Sequence, residues 1–545
     1  MYRRCENSKI HAKHKKLSSI GASLCVLALS AALTHAQQPV PQVVEGPTFE
    51  IKRYELSGNT LLSSERIQSI ISPYVGARRT LADVQRAQAA IEEAYRALGY
   101  GAVQVTLPEQ NITTGSIQFR IVQPKVGKVV LDGNKHFSNA NIRASLPEIQ
   151  EGQVPNSRDV ARNLQITAEH PTKKTTVLLR SSENPETIDV NIKVDDERPW
   201  RFVFSLDNTG NGDTGYLRSG IGFQHTNLFN RDHALSLQYI TSPSHPNKVS
   251  IYGLGYRAPV YRLNSSFDFF AGYSDVNSGV VQGLFNVAGS GSIFGAKWNY
   301  YLPKLGRIDQ KLSLGIDYRA FHNDVTFGAG GAGLVPDITI RPVSLTYNGT
   351  YRDTSSELTF NLGISANVPG GNDGTAADFA RSRANATDRY VIYRAGFGYQ
   401  TTFAKDWQAR AAVSGQYTRN ALVSGEQFGV GGPDSLRGFL VREVSNDKGV
   451  VTQFECYTPE LASLAGLPSA IRMRMAGFYE YGQVWRNQAL PGETTNQSVS
   501  DVGVGLRLNY GKSLSLRFDV ANILSGGGTR QRGDNRVSAG MVLVF

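Results

Sequence analysis

Lys311-Leu312-Ser313-Leu314-Gly315-Ile316-Asp317-Tyr318-Arg319-Ala320 alternates without a break. In an extended chain Leu312, Leu314, Ile316, Tyr318 and Ala320 share one face, and Lys311, Ser313, Gly315, Asp317 and Arg319 share the other. One face suits hydrocarbon and the other suits water, which is what a strand in the wall of a membrane barrel needs. The same pattern returns where Leu514, Leu516, Phe518 and Val520 oppose Ser515, Arg517 and Asp519. A soluble β-sandwich also alternates, so the fold is decided by what lies around these strands.

Residues 198–545 number 348, and at about 20 residues for each strand with its share of turn and loop this gives about sixteen antiparallel strands. A transmembrane β-barrel of that size leaves an aqueous channel rather than a filled core. The chain ends with Val537, Ala539, Met541, Leu543 and Phe545 on one face. That ending, with Phe545 as the last residue, resembles the C-terminal signal by which outer-membrane barrels are recognised for assembly. Beyond the N-terminus no run of about 18 apolar residues occurs, so no later segment is expected to span a bilayer as a helix. Hydrophobic residues make up 40% of the chain and its 55 glycines are many. The mean hydropathy of −0.27 is too polar for a helical membrane protein.

The N-terminus carries Arg3, Arg4, Lys9, Lys13, Lys15 and Lys16, then an apolar run over 20–33, then Thr34-His35-Ala36. This is the order of a secretory signal over 1–36, with cleavage expected after Ala36. The apolar run is shorter than the ~20 residues a membrane anchor needs. Cys25 is not a lipoprotein site, because Leu24 before it is too bulky for that processing. Loss of 1–36 removes six basic residues and one acidic one, so the formal charge falls from +11 to +6. The remaining Lys and Arg are scattered and no RNA or DNA motif accompanies them, so no nucleic-acid partner is expected. Cys456 is then alone and can form no internal disulfide.

Residues 37–47 read as a short flexible lead-in, rich in Pro and Gln. A repeat follows, with Leu56-Ser57-Gly58-Asn59 matched by Leu131-Asp132-Gly133-Asn134 at a period of 75 residues. Each copy opens with an alternating strand, over 49–56 or 126–131, that ends in the Gly-Asn turn. In the first copy Ser63 or Ser64 can cap a short helix, and a longer helix over 81–98 stops at Gly99. Strands over 102–107 and 116–122 complete that copy, and strands over 175–180 and 187–194 complete the second. The order strand-helix-helix-strand-strand, twice, resembles the polypeptide-transport-associated (POTRA) domain, here placed at 48–123 and 124–197. Such small α+β units leave a sheet edge that can receive an extended chain. The residues alone leave open whether that edge is used or the two units are spacers.

Between strands over 407–418 and 451–457 lies a long loop, about 420–450, containing Phe428-Gly429-Val430-Gly431-Gly432-Pro433-Asp434-Ser435-Leu436-Arg437-Gly438-Phe439. Gly431, Gly432, Ser435, Leu436, Arg437, Gly438 and Phe439 resemble the inward-loop motif of two-partner secretion transporters. These are the outer-membrane transporters of the hemolysin-activator, filamentous-hemagglutinin and hemopexin type, within the BamA-like superfamily. The resemblance covers nearly the whole chain after the signal. It implies that Arg437 pairs with a carboxylate on an inward-facing strand, in a Phe-x-Asp-x-Gly-x-Val setting. Here that setting reads Phe478-Tyr479-Glu480-Tyr481-Gly482-Gln483-Val484, with Glu480 in place of Asp and flanked by Phe478 and Gly482. Period two agrees, since Arg472, Arg474 and Glu480 share a face opposite Ile471, Met473, Met475 and Tyr479. An arginine can hold a carboxylate through two parallel bonds, which a lysine cannot.

Asp207-Asn208-Thr209-Gly210 and Gly503-Val504-Gly505-Leu506-Arg507 also resemble family segments, though Gly-rich hairpins are common in barrels. Neither has the Lys-Ser/Thr and following helix of a phosphate loop. No zinc-type His/Cys spacing and no nucleophile–base pair is visible, so neither a metal, a cofactor nor a catalytic site is expected. Family members often carry a plug helix and a linker before the first repeat, and 37–47 is too short for both. What the resemblance implies is a translocator that takes a large unfolded exoprotein, such as a hemolysin, adhesin or heme-binding protein, from the periplasm to the surface. The POTRA units would recognise the client, and the barrel assembly machinery would insert the protein into outer-membrane lipid. The rivals are an insertase of other outer-membrane proteins, as in BamA and TamA, and a solute porin. Two repeats rather than three to five argue against the first, and a porin leaves repeats and loop without a purpose.

Overall fold

The computed structural model describes residues 47–212, 214–274, 280–281, 285–286, 290–322 and 337–545. The expected secretory signal at 1–36, all but the last residue of the lead-in at 37–47 and any plug helix there lie outside the described residues.

The first α+β unit is built on a three-stranded sheet. Its middle strand, Ser116–Val122, runs parallel to Arg53–Ser57 and antiparallel to Gln104–Thr106. Ser63 caps the helix Ser64–Ile71, its side chain accepting from the Arg66 amide at 3.3 Å. Thr80 and Asp83 form a capping box at the head of the helix Leu81–Ala97. Ile67, Val84, Ile91 and Tyr95 from these helices are buried against Ile117 and Phe119 of the sheet. The single strand expected over 49–56 is split at Lys52: Arg53–Ser57 joins this sheet, and Phe49–Ile51 pairs instead with Gly76–Arg79.

The second unit repeats the arrangement. Thr187–Asp196 lies between Lys125–Asp132 and Lys173–Ser181, and the helices are Asn139–Ser145 and Ser157–Ala168. The repeated glycines explain each other. Gly58 and Gly133 have φ of +82° and +88°, and a Cβ on either would lie 2.3 or 2.4 Å from the carbonyl oxygen of Ile121 or Val194. The turn therefore admits only glycine, in both copies.

This second unit is joined to the turns at one end of the barrel by buried polar groups. Lys173 donates to Asp232 at 2.6 Å and to Asn141 at 2.9 Å, and Asn141 in turn donates to Asp232 at 2.9 Å. Asn163 donates to the carbonyl of Tyr261 at 3.0 Å. Glu169 pairs with Arg257, with Lys311 at 2.8 Å and with the hydroxyl of Tyr301 at 2.6 Å.

The rest is a closed antiparallel barrel of sixteen strands, in agreement with the count from length. The eighth strand is interrupted at Arg341, and its two parts, Ile338–Ile340 and Pro342–Arg352, both pair with the seventh, Ile308–His322. Closure is made by the first strand, Trp200–Asp207, and the sixteenth, Asn535–Val544, in register from Val203 with Val544 to Asp207 with Gly540. Leu314, Ile316 and Tyr318 of the seventh strand are exposed on the outside, while Asp317 and Arg319 meet inside the barrel. Val537 and Phe545 lie outside, and Arg536 and Ser538 are buried within. Among the described residues no helix is long and apolar enough to cross a membrane.

Candidate functional site

Four consecutive strands build an acidic wall: the twelfth (Lys448–Tyr457), thirteenth (Ile471–Trp485), fourteenth (Asn496–Tyr510) and fifteenth (Leu514–Ser525). They carry Glu455, Glu480, Asp501 and Asp519, all buried on the inner face. Glu480 and Asp501 are direct cross-strand partners, and Gln453 stands opposite Glu480 on the other side. Like charges placed directly opposite are unfavourable unless something cationic or hydrogen-bonding comes between them.

The loop between the eleventh strand, Trp407–Tyr417, and the twelfth supplies it. A short hairpin, Phe428–Val430 paired with Val444–Asn446, carries the loop inward. Gly431 and Gly432 then turn with φ of +114° and +105°, and a Cβ on Gly431 would lie 2.2 Å from the Leu440 oxygen. Ser435 tightens the turn, its hydroxyl accepting from the Gly431 amide at 3.3 Å. Leu436 and Phe439 are fully buried with Val430, Val451, Val484 and Ile523, so the loop tip carries its own apolar anchor.

Between those two anchors sits Arg437, with 3% of its surface exposed. Its guanidinium pairs with Glu455 through Nη2, reaches Glu480 at 3.4 Å and Asp519 at 3.7 Å, and lies 4.1 Å from the centre of the Phe478 ring. The backbone assists: the Arg437 amide donates to Glu480 at 2.6 Å and the Gly438 amide to Asp501 at 2.8 Å. Gln453 ties the two structures, donating to the Ser435 carbonyl at 2.6 Å and to Glu480 at 3.0 Å. Gly438 and Gly482 are required by closeness. A Cβ on Gly438 would lie 2.9 Å from the Asp501 carboxylate, and one on Gly482 would lie 2.6 Å from Val430.

Arg437, Glu480, Phe478, Gly482 and the loop glycines are thus together. The nearest carboxylate to the guanidinium, however, is Glu455, which the motif comparison did not supply, and Asp501 and Asp519 were missed as well. Their signal was present, since each is an acidic residue at an inward position of an alternating strand. Phe545 lies apart from this site, at the seam, where its amide donates to the Phe202 carbonyl at 3.0 Å. Asp207 is elsewhere on the inner wall, whereas Arg507 reaches the site, holding Asp519 at 2.7 Å. Beside the loop remains a cavity of about 970 Å³ lined by charged groups such as Lys297, Asp317, Arg319 and Arg394. No His/Cys/Asp/Glu group arranged to hold a metal occurs among the described residues. The arrangement positions a loop, and desolvation gives it strength: breaking a buried pair by removing one partner costs about 3–5 kcal/mol.

Residues 186–508 match the family described as haemolysin secretion/activation protein ShlB/FhaC/HecB, and residues 49–123 match the POTRA domain of ShlB type. Among curated proteins the chain is 21% identical over 496 residues to the heme/hemopexin transporter protein HuxB of Haemophilus influenzae, covering 89% of this chain and 85% of that one. It is 23% identical over 451 residues to the outer membrane transporter CdiB of Dickeya dadantii, covering 76% and 74%. Among solved structures, CdiB from Escherichia coli superposes with a TM-score of 0.74 at 18% identity, covering 94% of this chain and 93% of that one. CdiB from Acinetobacter baumannii gives 0.67 at 18% identity, covering 92% and 91%.

Proposed function

The chain belongs to the haemolysin secretion/activation protein family, ShlB/FhaC/HecB, and from that premise we propose how it moves its cargo. It is an outer-membrane transporter that secretes a partner exoprotein, with its POTRA region in the periplasm. In our reading both α+β units receive the unfolded client, which adds to a sheet edge. The client is a large secreted protein of the hemolysin, adhesin or heme-binding kind. The barrel assembly machinery inserts the transporter, using the terminal Phe545, and no catalytic step is part of the cycle.

The observation that carries this reading is the caging of Arg437 inside a closed barrel. A loop held across a lumen by one desolvated cation on three carboxylates, with a fourth, Asp501, held by the neighbouring Gly438 amide, is a device with two arrangements, seated and released. Nothing of the kind is needed for a passive pore. Arg437, Glu480, Phe478 and Gly482, with Gly431, Gly432, Ser435, Leu436, Gly438 and Phe439, would set the seated state, and Glu455, Asp501 and Asp519 complete it.

The test is a comparison of culture media and membranes from cells of the source organism with and without this chain. Disappearance of one large protein from the medium, with other barrels at normal abundance, is the expected result. A fall of several unrelated barrels in the membrane, with the medium unchanged, would replace secretion by insertase activity.

A further inference from the structure

A second carboxylate, outside the motif, gathers the outer loops. Asp447 is fully buried just before the twelfth strand, at the exit end of the inward loop. Arg383 grips it with both terminal nitrogens, Nη2 at 2.9 Å from Oδ2 and Nη1 on Oδ1. The Leu422 amide donates to it at 2.8 Å and the Asn487 amide at 2.7 Å. These donors belong to three separate segments on the cell-surface side: the connection 368–390, the root of the inward loop, and the connection 486–495. Arg383 closes the ring by donating to the carbonyls of Leu422, at 2.5 Å, and Asn487, at 3.3 Å.

Two features extend the gathering across the barrel. Phe379 and Tyr390 of the first connection pack with Leu422 and Val423 of the loop root and with Ile338 and Ile340 of the eighth strand, forming a buried apolar lid. On the same root Glu426, also buried, is held by Arg319 of the seventh strand at 2.6 Å and by Arg394 of the tenth strand, Val391–Phe403, at 3.4 Å. The loop tip is therefore bound to strands twelve to fifteen, and its root to the seventh and tenth strands and to two neighbouring loops.

We propose that Asp447 is the keystone of an outer latch that holds three surface loops together over the lumen, and that this latch opens separately from the Arg437 cage. A carboxylate is suited to the place because it alone can accept from a guanidinium and two amides at once, with four lone-pair sites and no donor of its own. Asn at this position would turn one oxygen into a donor that faces donors. The proposal rests on the transport reading for its purpose, but pore opening is measured without any cargo, so the two can fail separately.

The test uses the purified full-length protein in planar lipid bilayers, with vancomycin entry into intact cells as a second probe. Asp447→Asn and Arg383→Gln are expected to remain heat-modifiable barrels that open about tenfold more often than the parent, the population change that follows from losing one charge-assisted hydrogen bond. Arg383→Gln leaves Asp447 its amide donors, so it decides the matter if Asp447→Asn does not fold. In a Cys456→Ser background, Asn385→Cys with Gln488→Cys joins two of the loops, since Asn385 donates to the Gln488 carbonyl at 3.3 Å. A short reducible maleimide cross-linker there should suppress openings, and reduction should restore them. Folded variants that open no more often than the parent, or a tether that leaves openings unchanged, would overturn the latch.

Discussion

Arg437 presents two parts of itself to one carboxylate: its backbone amide lies 2.6 Å from Oε2 of Glu480 and its Nε 3.4 Å from Oε1. The charge and the chain path of the loop are thus fixed by the same wall residue. Arg437→Ala removes the cation and leaves Glu455, Glu480, Asp501 and Asp519 buried without it. The loop, rather than the barrel, is expected to yield, because about 3–5 kcal/mol of uncompensated burial is relieved by unseating it. Secretion should fall at least about tenfold while the barrel stays heat-modifiable in the membrane, a tenfold effect corresponding to only about 1.4 kcal/mol. Arg437→Lys should lie between, keeping the charge without the planar fork. Secretion of a reporter fragment of the client, with barrel level measured in parallel, checks the order.

Two glycines of one strand give an internal comparison. A Cβ on Gly482 would lie 2.6 Å from Val430 of the loop, whereas one on Gly477 meets nothing within 4 Å. Both residues tolerate a side chain as far as strand geometry goes. Gly482→Ala should therefore displace the loop and lower secretion several-fold, and Gly477→Ala should match the parent in secretion and abundance. Equal secretion by the two would show that the loop does not need its seat against the thirteenth strand.

The joint between the second α+β unit and the barrel should be sensitive to acid. Burial pushes the Glu169 carboxyl up, but Arg257 and Lys311 outweigh it and hold the group below its ordinary 4.5, with Tyr301 adding a hydrogen bond. An acid whose folded pKa is depressed stabilises the folded state at pH above 4.5, and this contribution is lost as pH falls through the lowered value. Limited proteolysis of the connection before Trp200 should speed up in the parent as the pH falls below 4.5 and through the lowered value. Glu169→Gln should be cut faster at neutral pH and lose that part of the acid dependence. An identical pH profile for the two would remove Glu169 from the joint.

Strand number and the inside and outside of the barrel were legible because both follow from a period of two and a nearly constant length of chain per strand. Leu314 and Asp317 already stood on opposite faces in the sequence. What alternation cannot give is which inward residues on different strands converge, since that depends on the stagger around the barrel. Parity alone would put Glu455, Asp501 and Asp519 on the inner face, yet only the register brings them to one loop tip, Glu455 and Asp519 at the Arg437 guanidinium and Asp501 at the Gly438 amide. The joint at Asp232 was hidden for another reason. Lys173, Asp232 and Asn141 look like ordinary surface residues of turns and strand ends until two units are pressed together. Alternation over 49–56 likewise could not show the break at Lys52, beyond which Phe49–Ile51 takes Gly76–Arg79 as its partner.

Phe545 separates two roles that a deletion would confuse. Its amide donates to the Phe202 carbonyl at 3.0 Å and its carbonyl accepts from the Phe202 amide at 3.3 Å, so the last residue extends the closing seam through its backbone. Its ring takes no part in this and points outward, 68% exposed. Deleting Phe545 loses both the seam bonds and the ring, whereas Phe545→Ala loses only the ring. If the aromatic side chain is what the assembly machinery reads, both variants should reach the membrane in amounts several-fold below the parent, and Phe545→Trp should assemble like the parent. If only the seam matters, Phe545→Ala should assemble like the parent and the deletion alone should suffer. Quantifying the heat-modifiable form in outer-membrane fractions distinguishes the two, and parent-like assembly of Phe545→Ala would remove the ring from the assembly signal.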